Sequence, residues 1–253
     1  MGIIKSQAIK GSVWSYLGVA LGFINLVILS QRVFTTEQIG LTQVLISFAT
    51  ILSQVGTLGM GNVAMRLFPH FRNQNNKHNG FIGLSIIVSL LGFVLMSLII
   101  FSFEPFLVKS GDYGSSLLSQ NYFYIYPLIF FLLFFAIFDS YNRMLYDAVM
   151  GTFLREVLLR VVNTGLIFLF IWDVITFDGF VLLFVVSQAI PTLILTISLL
   201  YRNELTLNFN LGFLTPKLRK DVIDVAIFGI IAGLSGMVVQ NLDRIMLNKM
   251  IGL

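Results

Sequence analysis

Phe81-Ile-Gly-Leu-Ser-Ile-Ile-Val-Ser-Leu-Leu-Gly-Phe-Val-Leu-Met-Ser-Leu-Ile-Ile-Phe-Ser-Phe103 carries no charged side chain, and that decides the class of fold. A helix needs about 20 mostly apolar residues to cross a bilayer, because every backbone N–H and C=O must find its partner inside the segment once water is gone. Six further runs of this kind flank it, at residues 11–34, 39–66, 121–145, 151–172, 179–200 and 222–246. The polar residues between them gather into short loops: Arg72-Asn-Gln-Asn-Asn-Lys77, Lys109-Ser-Gly-Asp-Tyr-Gly114, and Trp172-Asp173 through Asp178-Gly179. The sequence predicts an all-α integral membrane protein with seven spans.

Composition agrees. Of 253 residues, 57% are apolar and 11% charged, against about 45–50% and about 25% in soluble domains, and the mean hydropathy is +0.91. A water-soluble fold is excluded. The absence of cysteine removes disulfides, thiolate zinc sites and cysteine nucleophiles. The two histidines, His70 and His78, share one polar loop. No catalytic constellation, metal set or cofactor motif emerges, so the expectation is a protein that is not an enzyme.

The net charge of +4 is a topology signal here, not a mark of nucleic-acid binding, since Lys and Arg near span ends accumulate on the cytoplasmic side. With the N-terminus inside, Lys5, Lys10, Arg66, Arg72, Lys77, Arg143, Arg155, Arg160, Arg202, Lys217, Arg219 and Lys220 fall on that side. Only Arg32, Lys109, Arg244 and Lys249 fall outside. A span too many or too few would cancel this asymmetry. Met1-Gly2-Ile-Ile-Lys-Ser6 fits a loose myristoylation pattern, but an integral protein gains little from one acyl chain. The apolar run after Lys10 is also too long for a signal peptide and lacks a small-x-small cleavage site.

Gln31-Arg-Val-Phe-Thr-Thr-Glu-Gln-Ile-Gly-Leu41 aligns without a gap on Asp243-Arg-Ile-Met-Leu-Asn-Lys-Met-Ile-Gly-Leu253. Arg32 matches Arg244, Ile-Gly-Leu matches Ile-Gly-Leu, and the register extends back through Ala20 with Ala232 and Val27 with Val239. A charge and a loop belong to the match, which hydrophobicity alone does not supply. The seventh span then restarts a six-span pattern as a parallel repeat. The expected organisation is a six-span lobe over residues 1–201, a cytoplasmic interfacial linker over 202–221, and the first span of an incomplete second lobe over 222–253. On this reading the chain is a fragment, truncated by about five spans.

Three stretches carry a family resemblance: Lys10-Gly-Ser-Val-Trp-Ser-Tyr16 opening the first helix, Leu58-Gly-Met-Gly-Asn-Val-Ala-Met-Arg-Leu-Phe-Pro69 closing the second span, and Asn241-Leu-Asp-Arg-Ile-Met246 in the seventh. With the six-span period they resemble the multidrug/oligosaccharidyl-lipid/polysaccharide exporter superfamily. Within it they resemble the polysaccharide transporters, which include O-antigen and capsule repeat-unit flippases of the Wzx type. The resemblance implies two six-helix lobes around a cavity that opens alternately to either side. It also implies transport of an undecaprenyl-pyrophosphate-linked oligosaccharide across the bacterial cytoplasmic membrane, with membrane lipids and a polysaccharide assembly machinery as partners and no cofactor. Lipid II flippases carry arginines near the middle of the first helix, whereas Leu17 to Leu29 is uncharged. Drug exporters place a carboxylate deep in one lobe, and no Asp or Glu is expected near mid-membrane in the first six spans. An ion-coupled multidrug exporter and a membrane transferase acting on lipid-linked sugars stand as alternatives.

Inside the spans, Gln43, Ser47, Thr50, Gln54, Thr57 and Gly61 recur at helical intervals and place a polar stripe on one face of the second span. Such a stripe either packs dry through interhelical hydrogen bonds or lines a wet sugar cavity. On the cavity reading Gln43, Ser47, Thr50, Gln54 and Asn62 are substrate-facing. Glu156, Arg160 and Asn163 share a face of the fifth span, where Arg160 either pairs with Glu156 or joins Arg66 and Arg143 in a cationic inward mouth for pyrophosphate. Asp139 and Arg143 are spaced to pair. Gly56, Gly59 and Gly61 permit either a bend or close packing, Pro127 and Pro191 can kink spans four and six, and Tyr122, Tyr124 and Tyr126 read as an aromatic belt.

Overall fold

Thr35 shows how the sequence punctuates this chain. Its hydroxyl accepts from the Gln38 backbone N–H at 3.3 Å while the Gln38 side-chain Oε1 accepts from the Thr35 N–H at 3.0 Å. This reciprocal cap lets the first span turn into the second within two residues, Phe34 and Thr35. The computed structural model describes residues 2–73, 77–109, 116–205 and 215–251. The loop around residues 110–114, much of the predicted interfacial linker, and the side chains of the Asn241 to Met246 motif lie outside the described residues.

All regular structure among the described residues is helical. The first span is α1 (Ile3–Phe23), a π-helical stretch over Ile24–Ser30, and α2 (Gln31–Val33); the second is α3 (Thr36–Gly56) and α4 (Met60–Phe71). The third is α5 (Phe81–Lys109), and the fourth is α6 (Ser116–Asn121) followed by α7 (Ile125–Met144). The fifth runs through α8 (Ala148–Phe153), a second π-helical stretch over Leu154–Leu158, and α9 (Leu159–Ile171). The sixth is α10 (Phe177–Ser187) with α11 (Ala189–Tyr201), and the last helix is α12 (Pro216–Ile251). Among the described residues five stretches, Lys5–Val33, Thr36–Phe71, His78–Ser102, Leu117–Met144 and Phe177–Tyr201, are long and apolar enough to cross a bilayer. The fifth predicted span is helical up to Ile171 but carries Arg155, Glu156 and Arg160 in its first half. This is a multi-pass membrane protein.

Two apolar clusters hold the bundle together. Near the end that carries the N-terminus, Phe68, Phe71, Phe81 and Tyr141 pack edge to face, with Phe71 and Phe81 at 5.0 Å and Phe68 and Phe81 at 5.4 Å. Toward the opposite end, Phe34, Leu41, Leu45, Leu128 and Phe180 form the second. The outward faces, such as Val13, Tyr16 and Val19 of α1 and Leu91 and Leu98 of α5, remain exposed apolar surface suited to lipid.

The breaks within spans have local causes. Between α3 and α4, Leu58 and Gly59 take positive φ values of 48° and 75°, and a Cβ on Gly59 would enter the backbone of Ala226 on α12. Glycine is needed there for conformation and for close approach, so the bend falls at Gly59. Gly56 instead packs against Leu133 and Met96. The sixth span breaks at Gln188 because Pro191 cannot bond to the carbonyl of Ser187 and its ring crowds that carbonyl. Pro127 does not kink α7; it sits in the first turn, after a 3-10 turn over Tyr122–Tyr124. Tyr122 is not part of a belt: it is buried and donates to the Ile100 carbonyl at 2.8 Å, while Phe123 is the exposed ring.

Helix α12 starts six residues before the predicted run because Thr215 accepts from the Leu218 N–H at 3.2 Å and Pro216 follows at the first helical position. At about 1.5 Å per residue its 36 residues exceed the hydrocarbon thickness, so residues 216–221 extend the helix beyond it. It packs on α3 and α4 through Ala226, Gly229 and Gly233. Small residues of this kind let helix backbones approach in lipid.

Candidate functional site

The two π-helical stretches lie along the contact of the first and fifth spans, Ile24–Ser30 against α9 and Leu154–Leu158 against α1, and a polar cluster forms where these helices meet. π-Bulges widen a helix and free backbone carbonyls, and they concentrate at functional sites. Asn25, on the first, donates from Nδ2 to the Arg160 carbonyl at 2.7 Å, and its Oδ1 accepts from Thr164 Oγ1 at 2.7 Å. Arg160 donates from Nη2 to Glu156 Oε2 at 2.7 Å and from Nη1 to the Gly18 carbonyl. Gly18 and Gly22 make this possible: a Cβ on either would collide with Glu156 or with the Arg160 guanidinium.

Arg160 lies midway along a helical stretch that runs from Ala148 to Ile171. Its guanidinium reaches sideways to the first span. The i,i+4 pairing with Glu156 is as the spacing predicts, and both side chains are about 30% exposed, Arg160 to two cavities and Glu156 to the second of them. One, of about 470 Å³, lies between spans one, two, five and six. Asn25, Gln38, Thr42, Gln43, Arg160 and Asn163 line its polar side, and Phe34, Phe180 and Phe184 its apolar side. The other, of about 440 Å³, lies between spans two, four, five and six and presents Thr50, Arg155, Glu156, Arg160, Asn163 and Gln188. Arg160, Asn163 and Phe184 belong to both, so the two cavities adjoin at the middle of the bundle, and together they are called the trough.

A family model of polysaccharide biosynthesis proteins matches residues 9–253. The chain belongs to that family. No curated protein and no solved structure matches it.

In this polysaccharide biosynthesis protein the predicted site residues separate. Gln43 and Thr50 line the trough, one in each cavity. Ser47 is fully buried and lines neither. Gln54 and Asn62 turn to α12: Asn62 Nδ2 donates to the Gly229 carbonyl at 3.2 Å, and Gln54 lies against Gly233. Of the three arginines grouped as a cationic mouth, only Arg160 reaches the trough. Arg143 pairs with Asp139 at 2.8 Å near the end of α7, and Arg66 is exposed on α4. Asn25, Gln188 and the aromatic wall were not singled out from the sequence. Asn25 had a usable signal, because it is the single polar side chain between Leu17 and Leu29, and a buried amide in a span needs partners.

Asn25→Leu is expected to leave Thr164 Oγ1 with only its bond to the Arg160 carbonyl and to loosen the first span from the fifth. A cysteine pair joining these spans should then cross-link more slowly in membranes than in the parent. An unchanged rate would show that the amide does not hold the contact.

Proposed function

We propose that this protein moves an undecaprenyl-pyrophosphate-linked oligosaccharide across the bacterial cytoplasmic membrane by alternating access, for O-antigen or capsule assembly, with its N-terminus in the cytoplasm. The trough carries this reading. A sugar leaving water needs replacement hydrogen bonds for its hydroxyls, and the carboxamides of Gln43, Asn163 and Gln188 offer donors and acceptors. The rings of Phe34, Phe180 and Phe184 offer flat apolar surface for the C–H faces of a pyranose. Arg160 has five N–H donors and uses two on Glu156 and Gly18, which leaves donors for a phosphate oxygen. Membership of the polysaccharide biosynthesis family supports the substrate class. On this reading α12 belongs to a second lobe that closes the other side of the path, and membrane lipids and the polysaccharide assembly machinery are the protein's partners.

The test is surface polysaccharide in a strain that lacks its own flippase and carries the native gene. Gln43→Leu combined with Thr50→Val removes two hydrogen-bonding side chains from the trough; at about 0.5–1.5 kcal/mol each, export should fall about tenfold, with lipid-linked repeat units accumulating. Ser47→Ala should leave export within about twofold of the parent. Equal export by both variants would remove the trough from the sugar path. A second reading, an ion-coupled multidrug exporter, is favoured by Glu156, a carboxylate lining the trough; it predicts proton- or sodium-driven dye efflux and no effect on polysaccharide.

A further inference from the structure

Away from the trough, at the bundle end that carries the N-terminus, a histidine is buried where no transport step needs one. His78 is 3% exposed. Its Nε2 lies 3.4 Å from Glu204 Oε2, and Tyr141 Oη donates to the same oxygen at 3.4 Å. Three elements meet there: the loop between the second and third spans supplies His78, α7 supplies Tyr141, and the end of the sixth span supplies Glu204. Phe68 lies beside the imidazole, ring centroids 5.2 Å apart.

The backbone holds both partners in place. His78 and Asn79 adopt positive φ values of 52° and 51°, a conformation that Asn and His tolerate better than most residues. The His78 N–H bonds the Asn73 carbonyl at 2.8 Å and Asn79 Nδ2 bonds the Phe71 carbonyl at 3.2 Å. At the other side Asn203, with φ 56°, closes α11, and the Glu204 N–H returns to the Leu199 carbonyl at 3.0 Å. From Glu204 the chain runs on to α12.

Among the described side chains, the other charged groups around this cluster have acceptors or donors of their own. Arg72 donates to Tyr146 Oη and to the Met144 carbonyl, both at 2.5 Å, and Arg202 pairs with Asp147 at 2.7 Å. Arg72, Tyr146 and Arg202 line, with His78 and Glu204, one cavity of about 300 Å³. Glu204 is therefore the acid that faces the imidazole, and the charge on His78 decides how strongly it is held.

We propose that His78, Tyr141 and Glu204 form a proton-responsive latch that ties the loop between the second and third spans to the end of the sixth, where the chain departs toward α12. Protonated, the imidazole makes a charge-assisted contact with Glu204, and the separation of 3.4 Å leaves room to shorten toward the about 2.7–2.9 Å of such pairs. Neutral, with its proton on Nε2, it donates a weaker hydrogen bond to the same carboxylate. The latch is closed at acidic pH and loosens as pH rises through the imidazole titration. It does not depend on what the protein carries.

The chain has two histidines, which makes the test decisive. In lipid nanodiscs, hydrogen exchange of residues 77–80 and 200–205, corrected for intrinsic rates, is compared between about pH 5.5 and about pH 7.5, the range in which histidine titrates. Local opening should be about fivefold more frequent at the higher pH. The exposed His70 serves as control: His70→Gln should keep that difference, while His78→Gln and Glu204→Gln should abolish it. A pH-independent parent, or a difference that survives either latch substitution, overturns the proposal. Should His78→Gln fail to fold, Glu204→Gln decides by the same reading.

Discussion

Arg160→Leu is expected to abolish polysaccharide export and to lower the amount of folded protein in the membrane, whereas Glu156→Gln with Arg160→Gln should restore the folded amount and not the export. The single change leaves Glu156 as an unpaired carboxylate inside the predicted fifth span. Insertion scales put such a charge at about 2.5–3.5 kcal/mol at the helix centre, and the Gly18 carbonyl loses its donor as well. The double change removes both charges and keeps two amides at the same i,i+4 spacing, so the destabilising term disappears. The fork of donors that a phosphate oxygen could use disappears too. Immunoblots of membranes report the first effect and surface polysaccharide reports the second. Export by the double variant at the parental level would make Arg160 a packing residue and leave the trough without a phosphate contact.

The helices were readable because each apolar run is long, and the Glu156 to Arg160 and Asp139 to Arg143 pairs because an i,i+4 spacing fixes neighbours on one helix. The stripe on the second span was read as one face, and the structure splits it. Gln43 and Thr50 are seven residues apart and face the trough, while Ser47 and Gln54, also seven apart, form the adjacent row and turn to buried contacts and to α12. Four residues at 3.6 per turn differ by about 40° in direction, too little for a sequence pattern to separate and enough to change the neighbour. Arg66, Arg143 and Arg160 share a side of the predicted membrane map but not a cavity, because positive-inside counting gives depth and says nothing of which face an arginine occupies. The π-helical stretches at Ile24–Ser30 and Leu154–Leu158 have no composition signature. They arise where the two helices meet, so the polar cluster built on them became visible only with both in place.

Gly92→Val should sharply lower the amount of folded protein. A Cβ at position 92 would stand against the carbonyl, carbonyl carbon and Cα of Gly56, and these are backbone atoms of α3 that no rotamer change can move aside. α3 and α5 would have to separate, and the packing between them, which lipid does not replace with any hydrophobic driving force, would be lost along the contact. Overpacking of this kind costs about 1–3 kcal/mol in soluble cores, and the clash with rigid backbone puts valine at the upper end, with alanine smaller. Gly165→Ala provides the control, since nothing lies within 4 Å of the added methyl group and alanine is the better helix former. Midpoint temperatures for loss of the monodisperse peak in detergent should fall in the order Gly165→Ala, Gly92→Ala, Gly92→Val. Export per folded molecule should stay at the parental level for Gly92→Ala, because α5 contributes no residue to the trough. A Gly92→Val protein as heat-stable as the parent would mean that the second and third spans do not touch through their backbones.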